Sequence, residues 1–146
     1  MHWAIILASK TVPFFMLTAN DPRALEAYFA AGTAPLVVAL CAAWCDSCNE
    51  FRATFERIAQ ARPEMYFLWL DIEDDSEICG EIDIENFPTL AIYRGARLLH
   101  YGVSLPQEGT VTRLIDAIAE RDETDAAAPQ AVRDLSKRLA TWIGTR

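Results

Sequence analysis

Two cysteines, Cys45 and Cys48, are the residues whose type and spacing could do chemistry in this sequence. They follow a continuously apolar run, residues 36–41, and precede an amphipathic segment, residues 49–62. We therefore expect them where a strand ends and a helix begins. The first turn of a helix has unpaired N–H groups and a partial positive charge, which stabilise an anion there. A thiolate at such a position has a lowered pKa, and the thiolate is the reactive form of cysteine.

The predicted helix gives the two thiols different surroundings. At about 100° per residue, Cys48 falls on the side of the helix that carries its apolar residues, which are Phe51, Phe55 and Ile58. Cys45 lies one turn earlier, at the helix tip, and is rotated about 60° away from Cys48. An exposed thiol that attacks and a shielded thiol that resolves are the redox interpretation of this pair.

Two other interpretations of the pair stay open. A Cys-x-x-Cys pair can be half of a zinc site, although the sequence has no second Cys-x-x-Cys or His-x-His cluster to complete four ligands. The two cysteines could also be inert thiols. The acidic run at residues 73–77 is expected to complement a helix N-terminus rather than to bind a metal, so no metal site is predicted.

Composition and charge restrict the class of protein. The chain has 146 residues, 52% hydrophobic and 23% charged, which suits one globular domain with a sizeable core. Its net charge of -8 argues against nucleic-acid binding. Residues 1–8 are apolar but lack the basic region and clear cleavage site of a signal peptide, and we expect no membrane span. The expectation is a cytoplasmic, reducing location, with Cys41 and Cys79 as small buried residues.

Several motifs together resemble the thioredoxin family. Residues 44–48, Trp-Cys-Asp-Ser-Cys, look like the thioredoxin signature Trp-Cys-Gly-Pro-Cys. Phe87-Pro88-Thr89 looks like the thioredoxin Ile-Pro-Thr, whose proline is cis and faces the active cysteines. Gly102 sits where thioredoxins carry a glycine beside the substrate groove, and the spacing between residues 70–72 and the proline also matches. The resemblance covers about residues 14–120.

This resemblance implies a fold and an activity. The fold is expected to be α/β, a thioredoxin-like central mixed β-sheet flanked by α-helices, with residues 14–17 as the first strand and a cis bond before Pro88. The implied activity is thiol–disulfide exchange on protein substrates, in which Cys45 attacks and Cys48 resolves. An external reductase or thiol donor is implied as a partner, and no cofactor. The residues implied to bind substrate are Trp44, Asp46, Phe87, Pro88 and Gly102.

The sequence departs from the family pattern near the cysteines. Thioredoxins bury an aspartate that assists proton transfer beneath the pair and partner it with a lysine, and these positions are Ala39 and Trp69 here. The usual general base for the shielded thiol is therefore missing. Asp46 is a negative charge that disfavours a thiolate at Cys45, whereas the helix terminus favours one, and the balance stays open. The alternative function is a non-catalytic thioredoxin-fold binding module; a third is an oxidase or isomerase.

The remaining segments lie outside the resemblance. Residues 1–13 form an N-terminal extension to the domain at residues 14–120, and residues 121–129 are an acidic, alanine-rich linker. Residues 130–146 carry a charge of +3, from four cations and one anion, which leaves -11 for the rest of the chain. A single amphipathic helix is predicted here, with Val132, Leu135, Leu139, Trp142 and Ile143 along one side. It is expected to dock on its own acidic domain or, alternatively, on a partner protein.

Overall fold

The computed structural model describes residues 15–146, in which a five-stranded mixed sheet separates two layers of helices. The strands are β1 (Met16–Leu17), β2 (Pro35–Cys41), β3 (Tyr66–Asp71), β4 (Thr89–Arg94) and β5 (Arg97–Val103). Their order is β1-β3-β2-β4-β5. The β1–β3 and β2–β3 pairs are parallel, whereas the β2–β4 and β4–β5 pairs are antiparallel. The predicted α/β class with a central mixed sheet is confirmed.

Six helices occur in the described part of the chain. They are α1 (Pro22–Ala31), α2 (Asp46–Ala61), α3 (Ser76–Cys79), α4 (Glu108–Ala119), α5 (Gln130–Arg133) and α6 (Leu135–Gly144). The core on one face of the sheet is formed with α2 and α4, and the core on the other face with α1, α3, α5 and α6. Between residues 15 and 146, no helix has the length and apolar character needed to cross a membrane.

The central strand β2 is buried on both faces, as its continuous apolar run predicted. Successive side chains of a strand point to opposite faces of the sheet. Leu36, Val38 and Leu40 accordingly lie in the core shared with α1 and α6. Val37, Ala39 and Cys41 lie in the core shared with α2. The end of this second row is therefore beneath the start of α2.

Helix α2 forms because its apolar residues recur at helical spacing. Phe51, Phe55 and Ile58 lie in the core and are at most 2% exposed. Cys45 is the N-cap residue, with extended backbone angles of φ -93° and ψ 116°, so the helix begins immediately after it. The predicted strand–turn–helix around the cysteines is therefore present.

The first strand is shorter than predicted. It contains only Met16 and Leu17, which pair with Phe67 and Leu68 of β3. Phe15 lies in a bend before the strand and is 51% exposed. The apolar character of residues 14–17 suggested a longer strand, but an apolar run does not fix where pairing starts. Phe14 and the extension at residues 1–13 lie outside the described residues.

The C-terminal segment forms two helices rather than the single predicted one, with Asp134 between them. Two carbonyl groups of α5 accept hydrogen bonds from side chains outside that helix. The Tyr93 hydroxyl donates to the Val132 carbonyl (2.7 Å), and the Arg138 guanidinium donates to the Ala131 carbonyl (2.6 Å). The apolar periodicity of the sequence carries no information about these hydrogen bonds.

The same segment docks on its own domain. Its apolar residues Val132, Leu135, Leu139 and Ile143 lie in the core together with side chains of α1 and α3. Trp142, the fifth residue of that predicted side, is partly buried against the same core, so the apolar side packs on the chain's own domain. Residues 121–129 are also attached, because Asp125 exchanges hydrogen bonds with the β5 backbone at residues 98 and 101.

Candidate active site

Cys45 and Cys48 lie at the first turn of α2, directly above the C-terminal end of β2. The Cys45 N–H donates to the Ala42 carbonyl (3.0 Å), and the Cys45 carbonyl accepts a hydrogen bond from the Asn49 N–H (3.1 Å). The Cys45 side chain is partly exposed, whereas Cys48 is 0% exposed. All four cysteines of the chain are free thiols. One accessible and one shielded thiol thus lie a turn apart, as the helical periodicity predicted.

The pKa of the Cys45 thiol is lowered from its ordinary value. The largest cause is Ser47, whose hydroxyl oxygen lies 3.2 Å from Cys45 Sγ and can donate a hydrogen bond to the thiolate. The slight burial of Cys45 acts against this effect, and backbone N–H groups at the start of α2 add to it. The net direction, which the sequence left open, is therefore downward.

The Cys48 thiol is affected in the opposite direction. Burial raises its pKa because a thiolate loses hydration in the core. The neighbouring Cys41 thiol and the Ala42 backbone act in the opposite direction and partly offset burial. The pair therefore combines an outer thiol that ionises readily with an inner thiol that resists ionisation.

An aromatic surface lies beside the outer thiol. Trp44 is 64% exposed, and its ring meets that of Phe87 edge to face, with ring centroids 5.5 Å apart. The peptide bond between Phe87 and Pro88 is cis, as expected. The Pro88 carbonyl accepts a hydrogen bond from the Ser104 N–H (3.1 Å), which joins this loop to the segment after β5. Trp44 and the Phe87–Pro88 loop are thus brought together at the site.

The other two predicted substrate-binding residues occupy different positions. Asp46 is exposed in the first turn of α2, next to Cys45. Gly102 lies in β5 and pairs with Leu90, which in turn pairs with Ala39 of β2. Two strand spacings separate Gly102 from β2, a distance of about 10 Å. Gly102 is therefore not a direct neighbour of β2, and its role in substrate binding stays a prediction.

The buried floor of the site is apolar. Ala39 and Trp69 are direct neighbours in the β2–β3 register, so a small and a large side chain fill the space together. The Trp69 ring packs against Phe51 and Phe55, and the Arg52 guanidinium lies over it at 5.1 Å from the centroid. The buried polar side chains among the described residues are Thr89, Ser104 and Ser136, and none of them is charged.

A polar clamp, formed by Asp71 and Asn49, holds the loop that leads to the cysteines. The Ala43 N–H donates to the Asp71 carboxylate (2.7 Å), and the Asn49 side-chain amide donates to the Ala43 carbonyl (3.1 Å). The same carboxylate accepts hydrogen bonds from the N–H groups of Glu73 and Asp74 at 2.8 and 2.9 Å. Asp71 therefore ties the end of β3 to the loop that precedes Trp44.

Sequence reasoning expected Cys41 to be a small buried residue, which it is, but it did not place Cys41 beneath α2, assign a contact to Ser47 or foresee the polar clamp. A hydroxyl two residues after a predicted N-cap cysteine was a usable signal for Ser47, because side chains of the first turn lie close to the N-cap. The strand alternation that puts Val37 and Ala39 beneath α2 was a usable signal for Cys41. The clamp had no comparable signal, since it joins residues 28 positions apart in the chain.

Comparisons with known proteins identify a family and several relatives. The family model described as Thioredoxin matches residues 16–118. "Thioredoxin-like protein CXXS1" of Oryza sativa subsp. japonica is 29% identical over 87 residues, which cover 59% of this chain and 64% of that protein. "Sulfhydryl oxidase 1" of Rattus norvegicus is 30% identical over 136 residues, 85% of this chain and 18% of that protein. The chain thus spans less than two thirds of the length of each of these relatives.

A solved structure gives the same picture of the fold. Thioredoxin f from spinach chloroplast, in its short form, superimposes with a TM-score of 0.61 over 73% of this chain and 96% of that one. The two sequences are 20% identical over the superimposed part. At that level of identity the likeness describes the fold and leaves the chemistry to the residues of the site.

Proposed function

Because this chain belongs to the thioredoxin family, we propose that it is a thiol–disulfide oxidoreductase that reduces disulfides of protein substrates. The observation that carries the proposal is the asymmetry of the pair. Cys45 is accessible at the start of α2 and has a lowered pKa, whereas Cys48 is buried one turn later and has a raised pKa. Such a pair can divide disulfide exchange into an attack and a resolution step.

In the first step, the Cys45 thiolate attacks one sulfur of a substrate disulfide. The substrate S–S bond breaks, and its second sulfur leaves as a thiolate that takes up a proton. Cys48 then loses its proton and attacks the Cys45 sulfur, which releases the first substrate sulfur and forms the Cys45–Cys48 bond. Two electrons have passed to the substrate, and an external reductase or thiol donor returns the pair to the dithiol.

The surroundings of Cys45 suit an extended polypeptide substrate. Trp44 is an exposed aromatic surface that can pack against a substrate side chain. The Phe87 ring contacts the Trp44 ring, and the backbone before Pro88 could hold the substrate backbone by strand-like hydrogen bonds. We assign Asp46 and Gly102 to the border of the same surface.

Reduction of insulin by dithiothreitol, followed as turbidity, tests the proposal. We expect the protein to accelerate the reaction and Cys45→Ser to return the rate to that of dithiothreitol alone. Cys79→Ser is the matched control, because Cys79 is a buried thiol in the core on the opposite face of the sheet and should leave the rate unchanged. If the folded protein gives no acceleration, the non-catalytic binding module becomes the better interpretation.

The direction of electron flow requires a separate measurement. Part of sulfhydryl oxidase 1 is similar to most of this chain, so an oxidase or isomerase is the competing redox role. The reduction potential distinguishes these roles. The potential of thioredoxin is about -270 mV, and that of protein disulfide isomerase is about -180 mV. A value close to the first supports a reductase, and a value near or above the second contradicts it.

A further inference from the structure

Exposed apolar side chains gather around the loop that contains Pro88. Trp44, Val103 and Leu105 are 64%, 59% and 65% exposed, and they are three of the four exposed large apolar side chains among residues 15–146. Exposed apolar patches commonly mark surfaces that bind other molecules, because contact with a partner removes them from water. The exposed apolar surface of the described chain is therefore concentrated at the candidate site.

Strand pairing and hydrogen bonding connect these side chains to the same loop. Trp44 reaches it through the aromatic contact described above. Val103 of β5 pairs with Thr89 of β4, the residue that follows the cis-proline. Leu105 comes next after Ser104, whose N–H donates to the carbonyl of that proline (3.1 Å). We call the set the apolar strip, and its members are Trp44, Phe87, Val103 and Leu105.

A groove of about 310 Å³ adjoins the apolar strip and carries negative charge. It is lined by residues 83–86, by Thr89 and by residues 101–103. Asp83 and Glu85 are exposed, and neither has a hydrogen-bond or ion-pair partner among the residues that the structure describes. None of the described residues that line the groove is cationic. An ammonium or guanidinium group that enters the groove therefore meets two carboxylates and no competing cation from the lining.

The surrounding sequence has charge of the same sign. Residues 63–93 contain nine acidic residues and no lysine, arginine or histidine. A second copy of this chain on the apolar strip would bring like charges together, which disfavours self-association. A basic polypeptide is attracted to the same surface, because complementary charge speeds encounter and selects among partners. Charge complementarity therefore favours a basic polypeptide as the occupant.

We propose that the apolar strip and the acidic groove form a docking surface for disulfide-containing polypeptides that carry lysine or arginine near the cysteine under attack. The proposal rests on the proposed function, since it names the substrate class for the same thiol. Apolar side chains of the substrate pack on the strip, and its cations bind Asp83 and Glu85. Exposed ion pairs contribute little each, so the charge selects among substrates, whereas the strip contributes to the affinity for all of them.

Two synthetic peptides test the charge preference. Each contains one intramolecular disulfide, and they differ only in having two lysines or two glutamates next to one cysteine. Each kcat/KM for reduction is divided by the rate with dithiothreitol alone, which corrects for the intrinsic reactivity of the disulfide. We expect the corrected value to be about three- to tenfold higher for the lysine peptide. The ratio should fall in about 0.5 M salt, which screens exposed charges.

Matched variants show whether the groove is responsible. Asp83→Asn combined with Glu85→Gln should reduce the preference to less than about twofold. Glu64→Gln combined with Glu123→Gln is the control, because it removes the same charge from exposed positions near the starts of β3 and β5. It should keep the parent ratio. Leu105→Ser should lower kcat/KM for both peptides by a similar factor and leave their ratio unchanged.

Binding without chemistry separates the docking surface from the proposed function. Fluorescence anisotropy measures the affinity of labelled analogues of the two peptides in which serine replaces each cysteine. The lysine analogue should bind about three- to tenfold more tightly, and the groove variant should lose this difference. If the protein shows that binding preference but reduces neither peptide, the proposed function is contradicted and the docking surface stands.

Three outcomes overturn the proposal. Equal reduction of both peptides leaves the proposed function in place and removes the docking preference. An equal loss of preference in the control variant assigns the effect to net charge rather than to the groove. A dimer in sedimentation that Leu105→Ser converts to a monomer assigns the apolar strip to a second copy of this chain.

Discussion

The neighbour with the largest effect on the pKa of Cys45 is Ser47, rather than the adjacent Asp46. The Ser47 hydroxyl lies 3.2 Å from Cys45 Sγ and is the largest cause of the lowered pKa. Asp46 is exposed in the first turn of α2, where water and salt weaken the effect of its charge. The Ser47 hydroxyl therefore favours the Cys45 thiolate more than the exposed Asp46 carboxylate disfavours it.

The first prediction concerns this hydroxyl. Ser47→Ala removes the hydrogen bond to the thiolate, so the pKa of Cys45 rises and the pH midpoint of its alkylation by iodoacetamide moves upward. We expect alkylation near neutral pH to slow several-fold, because a hydrogen bond to a charged group contributes about 1.5–3 kcal/mol and exposure reduces that figure. A less acidic thiol is intrinsically more nucleophilic, so the midpoint is the cleaner measurement.

Asp46→Asn is the matched control for this prediction. It removes a negative charge at the adjacent position and should move the midpoint slightly downward, opposite to Ser47→Ala. Mass spectrometry should find Cys45 modified before the other three cysteines in every variant. An unchanged midpoint in Ser47→Ala means that the hydroxyl does not contact the thiolate in solution.

The elements around the site are joined by the polar clamp. The Asp71 carboxylate accepts three backbone hydrogen bonds, one from Ala43 and two from the turn after β3. Asn49 holds the carbonyl of the same Ala43 from the first turn of α2. The loop before Trp44 is thus fixed from a strand on one side and from a helix on the other.

The second prediction follows from these hydrogen bonds. Asp71→Ala should lower the free energy of unfolding by about 1–3 kcal/mol, because three N–H groups lose their acceptor and water replaces it only in part. Amide hydrogen exchange at Ala43 should become faster than in the parent. Asp74→Ala is the control, since the Asp74 side chain is exposed and the neighbouring backbone is unchanged. Equal effects of the two substitutions would contradict the clamp.

Helices and strands could be predicted where a regular spacing of apolar residues determines them. Phe51, Phe55 and Ile58 marked the buried face of α2 through their helical spacing. The division of the C-terminal segment at Asp134 was not predicted, and the hydrogen bonds from Tyr93 and Arg138 to carbonyl groups of α5 are not encoded by apolar periodicity either. The residues missed at the site, Ser47 and Asp71, likewise act through contacts that apolar periodicity does not encode.

At the scale of the whole molecule, Arg138 attaches the C-terminal segment to the domain. Its guanidinium donates to the carbonyls of Ile78 (2.7 Å) and Cys79 (3.0 Å) at the end of α3, and to that of Ala131 in α5. Gly80 leaves room for this group, since a Cβ atom there would lie 2.7 Å from Arg138 Nε. The basic segment is therefore joined to its acidic domain by directed hydrogen bonds as well as by apolar burial.

The third prediction tests this attachment. Arg138→Leu leaves three partly buried carbonyls without their donor and should lower the free energy of unfolding by about 2–4 kcal/mol, measured in urea. Lys137→Leu is the control, because the Lys137 side chain is 76% exposed and should change stability by less than about 0.5 kcal/mol. Cys45 alkylation should stay at its parent midpoint in both variants, because α6 packs on the other face of the sheet. A shifted midpoint in Arg138→Leu would indicate coupling between the two faces.

The pairing of Ala39 with Trp69 has a consequence for how the protein tolerates changes of pH. A carboxyl group buried at that position would have a raised pKa, and its contribution to stability would be lost as pH rises through that pKa. Alanine and tryptophan have no such proton to release. The floor beneath the cysteines therefore has the same charge in mildly acidic and mildly alkaline surroundings, and changes of acidity there act on the sulfur atoms above it.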